Sequence, residues 1–583
     1  MRRRVRERLL AERVAAGHWV GELASSALAT ATASFALADG GEAADRPLAE
    51  RGLAWLAACQ NPDGGWGDTA LSHSNISTTA LCWAALSAGS APQERALARR
   101  AETWLRQHAG GLDPVAIAGA IDARYGRDRT FSAPILALCA ASGRLGAGPE
   151  AWRWVMPLPF ELAAVPQPCY RWLRLPVVSY ALPALIAIGL ARFRNLPPRN
   201  PVTRLLRAAA SARALRVLEA IQPPSGGYLE AVPLTSFVAM SLSAAGQRDH
   251  PVAQRARAFL RFQQRPDGSW PIDTNLATWV TTLAVDALAG GPAGIPEEAR
   301  APLRAWLLGQ QHRRRHPYTG AAPGGWAWTH LPGAVPDADD TAGAIVALRH
   351  LGSSNQDVRQ AAAAGVAWLL DLQNTDGGFP TFCRGWGHLP FDRSGSDLTA
   401  HAVRAIHLWR KDLPPALAAR AARTLDRGIA FLAATQRRDG AWVPLWFGNQ
   451  NEPQEENPLY GTARVLSGLR QVQDPQAQAL CARGRHFLAA AQNEDGGWGG
   501  AAGLPSTVEE TALAVAVLAA PPSPESAAVR RGAEWLIART DAGRSFPPAP
   551  IGLYFAKLWY FEKLYPLIFT EAAVAQIESA AGV

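Results

Sequence analysis

The chain has 583 residues, 48% hydrophobic and 18% charged, with a mean hydropathy near zero at -0.05. That balance excludes a disordered chain and argues against a protein of many membrane spans, while the length asks for two large domains or a repeat architecture. The net charge of +9 suits nucleic acid or an anionic lipid surface, and no nucleic-acid motif supports the first.

The N-terminus, Met1-Arg2-Arg3-Arg4, is basic but no continuous apolar core follows it, so a cleaved signal peptide is not expected. The six cysteines (Cys59, Cys82, Cys139, Cys169, Cys383 and Cys481) are scattered, with neither metal-ligand spacing nor a disulfide framework. The longest apolar run, Leu175 to Ala191, contains Pro176 and Pro183 and falls short of the ~20 residues of a spanning helix. Next, Arg204, Arg207, Arg213 and Arg216 alternate with Leu205, Leu206, Leu215 and Leu218. The pattern suits either a basic amphipathic helix on anionic headgroups or the solvated outer face of a helical domain. The expected location is the cytoplasmic side of a membrane, attached from one side.

A repeat organises the chain. Six segments share an apolar helix end, a Gln and a Gly-aromatic turn, as in Trp55-Leu56…Gln60…Gly64-Gly65-Trp66 and Phe487-Leu488…Gln492…Gly496-Gly497-Trp498. The others turn at Trp270, Trp326, Phe379 and Trp442, and degenerate copies sit at Gly17-His18-Trp19 and around Trp535. From Trp270 to Trp498 the turn aromatics are 53 to 63 residues apart, room for two helices of ~12 residues and their loops. Each Gln amide is placed to bond exposed backbone groups at the end of an outer helix and to stack on the indole that follows. Ala-, Leu- and Arg-rich stretches such as Ala361 to Leu370 favour helix, and strand-like alternation is missing. The expected fold is all-α, two α/α barrels. Residues 20–250 form the first, residues 251–583 form the second with 1–19 packed on it, and Gln222 to Gly227 punctuates the region between.

The sharpest chemical feature is Pro336-Asp337-Ala338-Asp339-Asp340-Thr341-Ala342, three carboxylates at the start of an apolar helical pattern that runs to Leu348. Crowded carboxylates do not all ionise cheaply, so one tends to stay protonated and can act as a Brønsted acid. The same cluster also suits a helix N-terminus stabilised by the dipole, or a calcium or magnesium ligand set. Further on, Ser396-Asp397-Leu398-Thr399-Ala400-His401 puts Asp397 and His401 on one helix face. A histidinium there would stabilise negative charge on a neighbouring carboxylate.

The Gln-aromatic repeat, the Asp337 to Ala342 motif and the Asp397/His401 pair together resemble the bacterial squalene-hopene cyclases over nearly the whole chain. The resemblance implies two α/α barrels around an apolar cavity, a monotopic membrane attachment, and an enzyme that protonates a terminal alkene of a linear isoprenoid. It assigns the proton to Asp339, flanked by Asp337 and Asp340. His401 sharpens the acid, and Asp397 and Tyr460 reprotonate it through water. The implied cavity lining is Trp279, Trp328, Phe382, Trp446, Tyr554 and Phe555, aromatic faces that stabilise a cation without attacking it. Tyr180 stands where a Trp is expected. No metal or cofactor is implied. The expected partners are a squalene-like substrate, a membrane surface and a second copy of the chain, with no nucleic acid.

Departures from the family bear on the product. Ala29-Thr30-Ala31-Thr32 stands where hopene-forming members carry acidic residues near the end of the reaction, Gly448 to Pro458 is an inserted polar segment, and the loop from Cys383 to Ser396 is short. Three rivals remain. A zinc prenyltransferase-like barrel would need an Asp, Cys and His ligand set, and a non-catalytic lipid-binding barrel would not require the acidic cluster. A cyclase of diphosphate-bearing precursors would want a basic pocket and magnesium.

Overall fold

The computed structural model describes residues 1–583 except 90, 127, 521–525, 554–556 and 582–583, and the side chain of residue 129. Tyr554 and Phe555, two of the expected cavity residues, lie outside the described residues.

Inner and outer helices differ in sequence as their positions require. The inner helix Ile76–Ala85 buries every residue from 77 to 85, so no polar stripe is needed. The outer helix Pro415–Thr435 buries Ala421, Leu425, Ile429 and Leu432 on one stripe and leaves charge on the other face. Side-chain caps start many of them. Asn75 accepts from the Thr78 N–H, Asn355 from Val358 and Asp474 from Ala477, each satisfying an amide that the first turn leaves open.

In the C-terminal unit six inner helices close a ring, each packing on the next and the last on the first. They are Ala277–Ala289, Ala338–Gly352, Ser396–Trp409, Pro458–Leu469, Val508–Leu518 and Tyr565–Ala581. In the N-terminal unit Ala27–Gly40, Ile76–Ala85, Arg129–Ala141, Val177–Asn195 and Val232–Ala244 close a smaller ring in the same way. Each ring has its own apolar core. The helix Pro251–Gln263 and Trp270 belong to the first core, so packing puts the division between Trp270 and Leu276, past the expected residue 250. Val5, Leu9 and Trp19 belong to the second.

The apolar run read as too short and too proline-rich is one inner helix, Val177–Asn195, of 19 residues with Pro183 inside it. It is long and apolar enough to cross a membrane by length and composition, and 67% of that window is buried in the barrel. Packing on neighbouring inner helices holds it together through the proline.

The repeat is a hydrogen-bonded splice. Gln373 Nε2 donates to the Gly377 carbonyl (2.8 Å) in its own turn and to the Thr424 carbonyl (2.9 Å) in the next outer helix. Gln60, Gln264, Gln311, Gln436 and Gln492 do the same with their own partners. The turn indole closes the other end: Trp326 Nε1 donates to Leu307 O (2.8 Å) and Trp442 Nε1 to Leu432 O (2.8 Å), carbonyls in the last turns of outer helices. The segment read only as punctuation is a further copy. Gln222 bonds Gly226 O and Val252 O, and the Tyr228 hydroxyl takes the indole's place on Leu218 O.

The inserted segment ties the two barrels together. His73 Nε2 meets Asn451 Oδ1 at 2.9 Å, and Arg124 pairs with Glu455 at 2.6 Å. The short strand Phe447–Gly448 leads into this segment and pairs antiparallel with Ile551–Leu553, which pairs with Leu558–Tyr560. Buried Asp68 of the first barrel accepts the Trp559 N–H (2.7 Å) of that sheet.

Candidate active site

The acidic cluster begins the inner helix Ala338–Gly352. Asp337 is its N-cap and its Oδ1 accepts the Asp340 N–H at 2.8 Å. The Trp326 carbonyl accepts the Asp337 N–H (3.0 Å) and the Thr381 carbonyl the Ala338 N–H (2.8 Å), so two turns fix where the helix starts. Asp337 and Asp340 are buried, whereas the Asp339 side chain keeps 16% of its surface accessible. The cluster therefore divides its labour: two carboxyls build the helix start and the middle one is presented.

His401 comes to Asp339 from the neighbouring inner helix Ser396–Trp409, with Nδ1 at 2.5 Å from Oδ1. Asp397 lies one turn before His401, and its Oδ1 accepts the Leu445 N–H (3.1 Å), which fixes the loop that carries Trp446. Tyr460, buried on the next inner helix, packs on Phe447 with ring centres 4.7 Å apart and the planes tilted by 36°. The structure thus brings together Asp337, Asp339, Asp340, Asp397, His401 and Tyr460 on three successive inner helices.

Electrostatics change one expectation. Burial pushes the carboxyls of Asp337 and Asp340 up; Asp337 and Asp339 raise Asp340 further, whereas hydrogen bonding with Asp340 offsets part of the rise at Asp337. Burial, with Asp339 nearby, pushes Asp397 up to about 7. His401 goes the other way: burial lowers its pKa first, Asp339 raises it, and Arg464 and Arg404 lower it further. The imidazole is therefore neutral near pH 7, not the histidinium expected from sequence; burial holds Asp340 well above the usual carboxylate range, and Asp337, pushed up to about 7, is only partly ionised there. A neutral His401 still acts on Asp339, by hydrogen bonding.

The aromatic side chains form two groups. Near Asp339, Trp279 meets His401 edge-on at 6.3 Å and Phe447 face-on at 6.5 Å, and its Nε1 donates to the Tyr565 hydroxyl (2.9 Å). Farther off, Phe382 centres a second group, 6.3 Å from Trp328, 6.0 Å from Trp446 and 5.3 Å from Tyr180. The Trp446 Nε1 is anchored on Thr381 Oγ1 at 2.5 Å, beside the start of the helix Ala338–Gly352. Tyr180 crosses from the first barrel to donate its hydroxyl to the Phe382 carbonyl (3.1 Å), and Tyr318 donates to the Tyr180 carbonyl (2.5 Å).

Sequence reasoning missed Phe447, Tyr560, Tyr565, Tyr318 and Arg464. Arg464 was findable, since it sits four residues after Tyr460 and so on the same helix face. Tyr318 lies within the long Gln311 to Trp326 turn, and nothing in the sequence aims it inward. Among the described residues no group of three His, Cys, Asp or Glu side chains is arranged to hold a metal ion.

Comparison with known proteins follows the same lines. Residues 276–578 match the model of the squalene-hopene cyclase C-terminal domain, and residues 3–121 that of the N-terminal domain. Enfumafungin synthase of Hormonema carpetanum is 32% identical over 331 residues, which cover 50% of this chain but only 24% of that much longer protein. The squalene hopane cyclase of Aspergillus fumigatus is 26% identical over 635 aligned positions, covering 90% of this chain and 82% of that one. Among solved structures, the ent-copalyl diphosphate synthase of Streptomyces platensis shares the fold over 100% of both chains, with a TM-score of 0.61 at 21% identity. With the C-terminal model matching over half of this chain, and the Asp337 to Asp340 cluster and His401 within that half, this chain belongs to the squalene-hopene cyclase family.

Proposed function

We propose that this protein is a class II terpene cyclase that protonates the terminal alkene of a linear isoprenoid, squalene foremost, and directs its polycyclisation to a hopene-like product. The observation that carries this reading is the 2.5 Å contact between Asp339 Oδ1 and His401 Nδ1 beside the Trp279 and Phe447 rings. In the first step Asp339 gives its proton to the terminal alkene carbon. A C–H bond forms, the neighbouring carbon becomes cationic, and successive alkenes attack it to close rings. The His401 N–H stabilises the carboxylate left behind, and stabilisation that grows with charge speeds the step. Trp279 supports early positive charge by its ring face, and Trp328, Phe382 and Trp446 support it farther along. Asp397 and Tyr460 return a proton to Asp339 between turnovers. Loss of a proton or capture of water ends the sequence.

A shorter linear isoprenoid is the second reading, and one observation favours it. The hydrogen bonds from Tyr180 to Phe382 and from Tyr318 to Tyr180 set a tight aromatic cluster between the barrels. The squalene hopane cyclase relative supports the first reading and the name of the ent-copalyl diphosphate synthase suggests the second. Incubating the purified chain with squalene, farnesyl diphosphate and geranylgeranyl diphosphate, then weighing the lipid products by mass spectrometry, separates them. Cyclised squalene supports the first, and cyclised diphosphate alone supports the second.

We also propose attachment to an anionic membrane through the helix Pro201–Ala220. Arg204, Leu205, Leu206, Arg213 and Arg216 are exposed on it. Arg207, which the sequence grouped with them, is instead buried and paired with Glu161 at 3.2 Å. The interfacial face is thus narrower than the sequence pattern, and the location at the cytoplasmic side of the membrane is part of this proposal.

A further inference from the structure

Arg464 lies one turn after Tyr460 on the inner helix Pro458–Leu469. Its guanidinium carbon is 5.7 Å from the centre of the Trp279 ring and 6.0 Å from that of Tyr460. No hydrogen bond or ion pair joins this guanidinium to another described residue. A guanidinium offers five donors and is always charged, so one that is half-buried on an inner helix without an ion-pair partner calls for a reason.

The charges around it supply the reason. On the helix Ala277–Ala289 Asp286 faces it, but Asp286 is already neutralised by a two-pronged pair with Arg404 (2.7 and 2.6 Å) and by His350 (3.2 Å). On the helix Ser396–Trp409 stand Asp397, His401 and Arg404, and on Ala338–Gly352 stands Asp339. Tyr460 on its own helix, and Tyr560 and Tyr565 opposite, stay as neutral phenols because burial pushes all three up. Asp339, Asp286 and Asp397 are the carboxyls whose negative charge acts on Arg464. Asp286 is paired, and on the reading that Asp339 is the proton donor Arg464 gains its full counter-ion only when Asp339 gives up its proton.

We propose that Arg464 is a positioning residue for the acid, the fixed cation that stabilises the conjugate base of Asp339 as the proton leaves. This rests on the reading of Asp339 as the proton donor. The role expected of a histidinium is thereby split: His401 gives Asp339 a hydrogen bond and Arg464 gives it charge. The cation is in place before the reaction and needs no reorganisation, and its interaction is strongest in the transition state. It also disfavours positive charge that lingers beside the donor, and so favours its migration toward Trp328, Phe382 and Trp446.

The test compares Arg464→Met and Arg464→Lys in the full chain, using whichever of squalene, farnesyl diphosphate and geranylgeranyl diphosphate the unmodified protein cyclises. Failure of the substrate reading then shows in the unmodified protein, and failure of this proposal only in the variants. Arg464→Met should lower kcat roughly tenfold to hundredfold with KM within about twofold, and Arg464→Lys should recover part of the loss. An unchanged kcat in Arg464→Met, or a loss confined to KM, would overturn the proposal, the latter by making Arg464 a substrate-binding group. A second measurement needs no substrate: ¹⁵N NMR of labelled histidines, with His401 assigned by its loss in His401→Gln. Removing the cation in either Arg464→Met or Arg464→Gln should raise the His401 titration midpoint, and an unmoved midpoint would contradict the proximity of the charge.

Discussion

His401 reaches Asp339 across the seam between two inner helices, its Nδ1 2.5 Å from the carboxyl Oδ1. Because burial favours the neutral ring, the tautomer with its proton on Nδ1 donates to Oδ1 and leaves Oδ2 for the acid proton. His401→Ala should therefore lose kcat by roughly tenfold to a thousandfold at nearly constant KM. His401→Gln keeps an amide N–H without charge and should retain more turnover than Ala. If His401→Arg restores activity and Gln does not, charge rather than the hydrogen bond is what the position supplies.

The splice at each turn has a measurable worth. Gln373→Leu removes the donor to Gly377 O and Thr424 O at a residue only 4% exposed. Two buried carbonyls lose a partner, and the expected loss in urea unfolding is about 1–3 kcal/mol. A change below ~0.5 kcal/mol would mean that the turn re-forms its bonds elsewhere.

Much of this was legible in the sequence because it is periodic or short-range. The Gln-to-indole spacing fixes a turn and the helix ends on either side, so the barrels could be anticipated. Asp337, Asp339 and Asp340 sit on one helix start, and Asp397 and His401 on one helix face, so each set needs little tertiary information. What joins the sets is long-range. The approach of Tyr180 to Phe382 spans two barrels, and neutral His401 follows from burial that only packing produces. The repeat at Gln222 escaped notice because a tyrosine hydroxyl replaces the indole. Arg207 looked like part of a surface stripe until Glu161 from another segment paired with it.

Stability should fall as pH rises through neutrality. Burial pushes Glu509 up to about 8, with Glu510 adding to it, and one of its oxygens has no partner. A raised folded value means that the native state holds a proton the unfolded chain has released. The stability tied to that proton is fully present below the unfolded value, about 4.3, and is lost as pH rises through the folded one. Glu509→Gln, which cannot ionise, should flatten the fall in melting temperature between pH 5.5 and 8.5. An equal slope in both proteins would remove Glu509 as its source.

Membrane attachment through the helix Pro201–Ala220 predicts salt-sensitive binding to anionic vesicles. Replacing Arg204, Arg213 and Arg216 together by Gln should weaken vesicle binding by at least several-fold, with ~1 kcal/mol per charge, on the order of a hundredfold in all, as the upper limit. Arg207→Gln should instead lower stability, since it strands Glu161. Unchanged cosedimentation of the triple variant would assign attachment to another face.

Proton delivery from Asp339 is the central claim, and deuterium tests it most directly. Asp339 exchanges with solvent between turnovers, so squalene, or whichever isoprenoid is cyclised, should emerge from D₂O with one solvent deuterium at the carbon that was protonated. Asp339→Asn, nearly isosteric but without an acid proton, should reduce formation of that product by at least ~10² while leaving the helical circular dichroism unchanged. A cyclic product lacking solvent deuterium, or its formation by Asp339→Asn at the unmodified rate, would contradict the account.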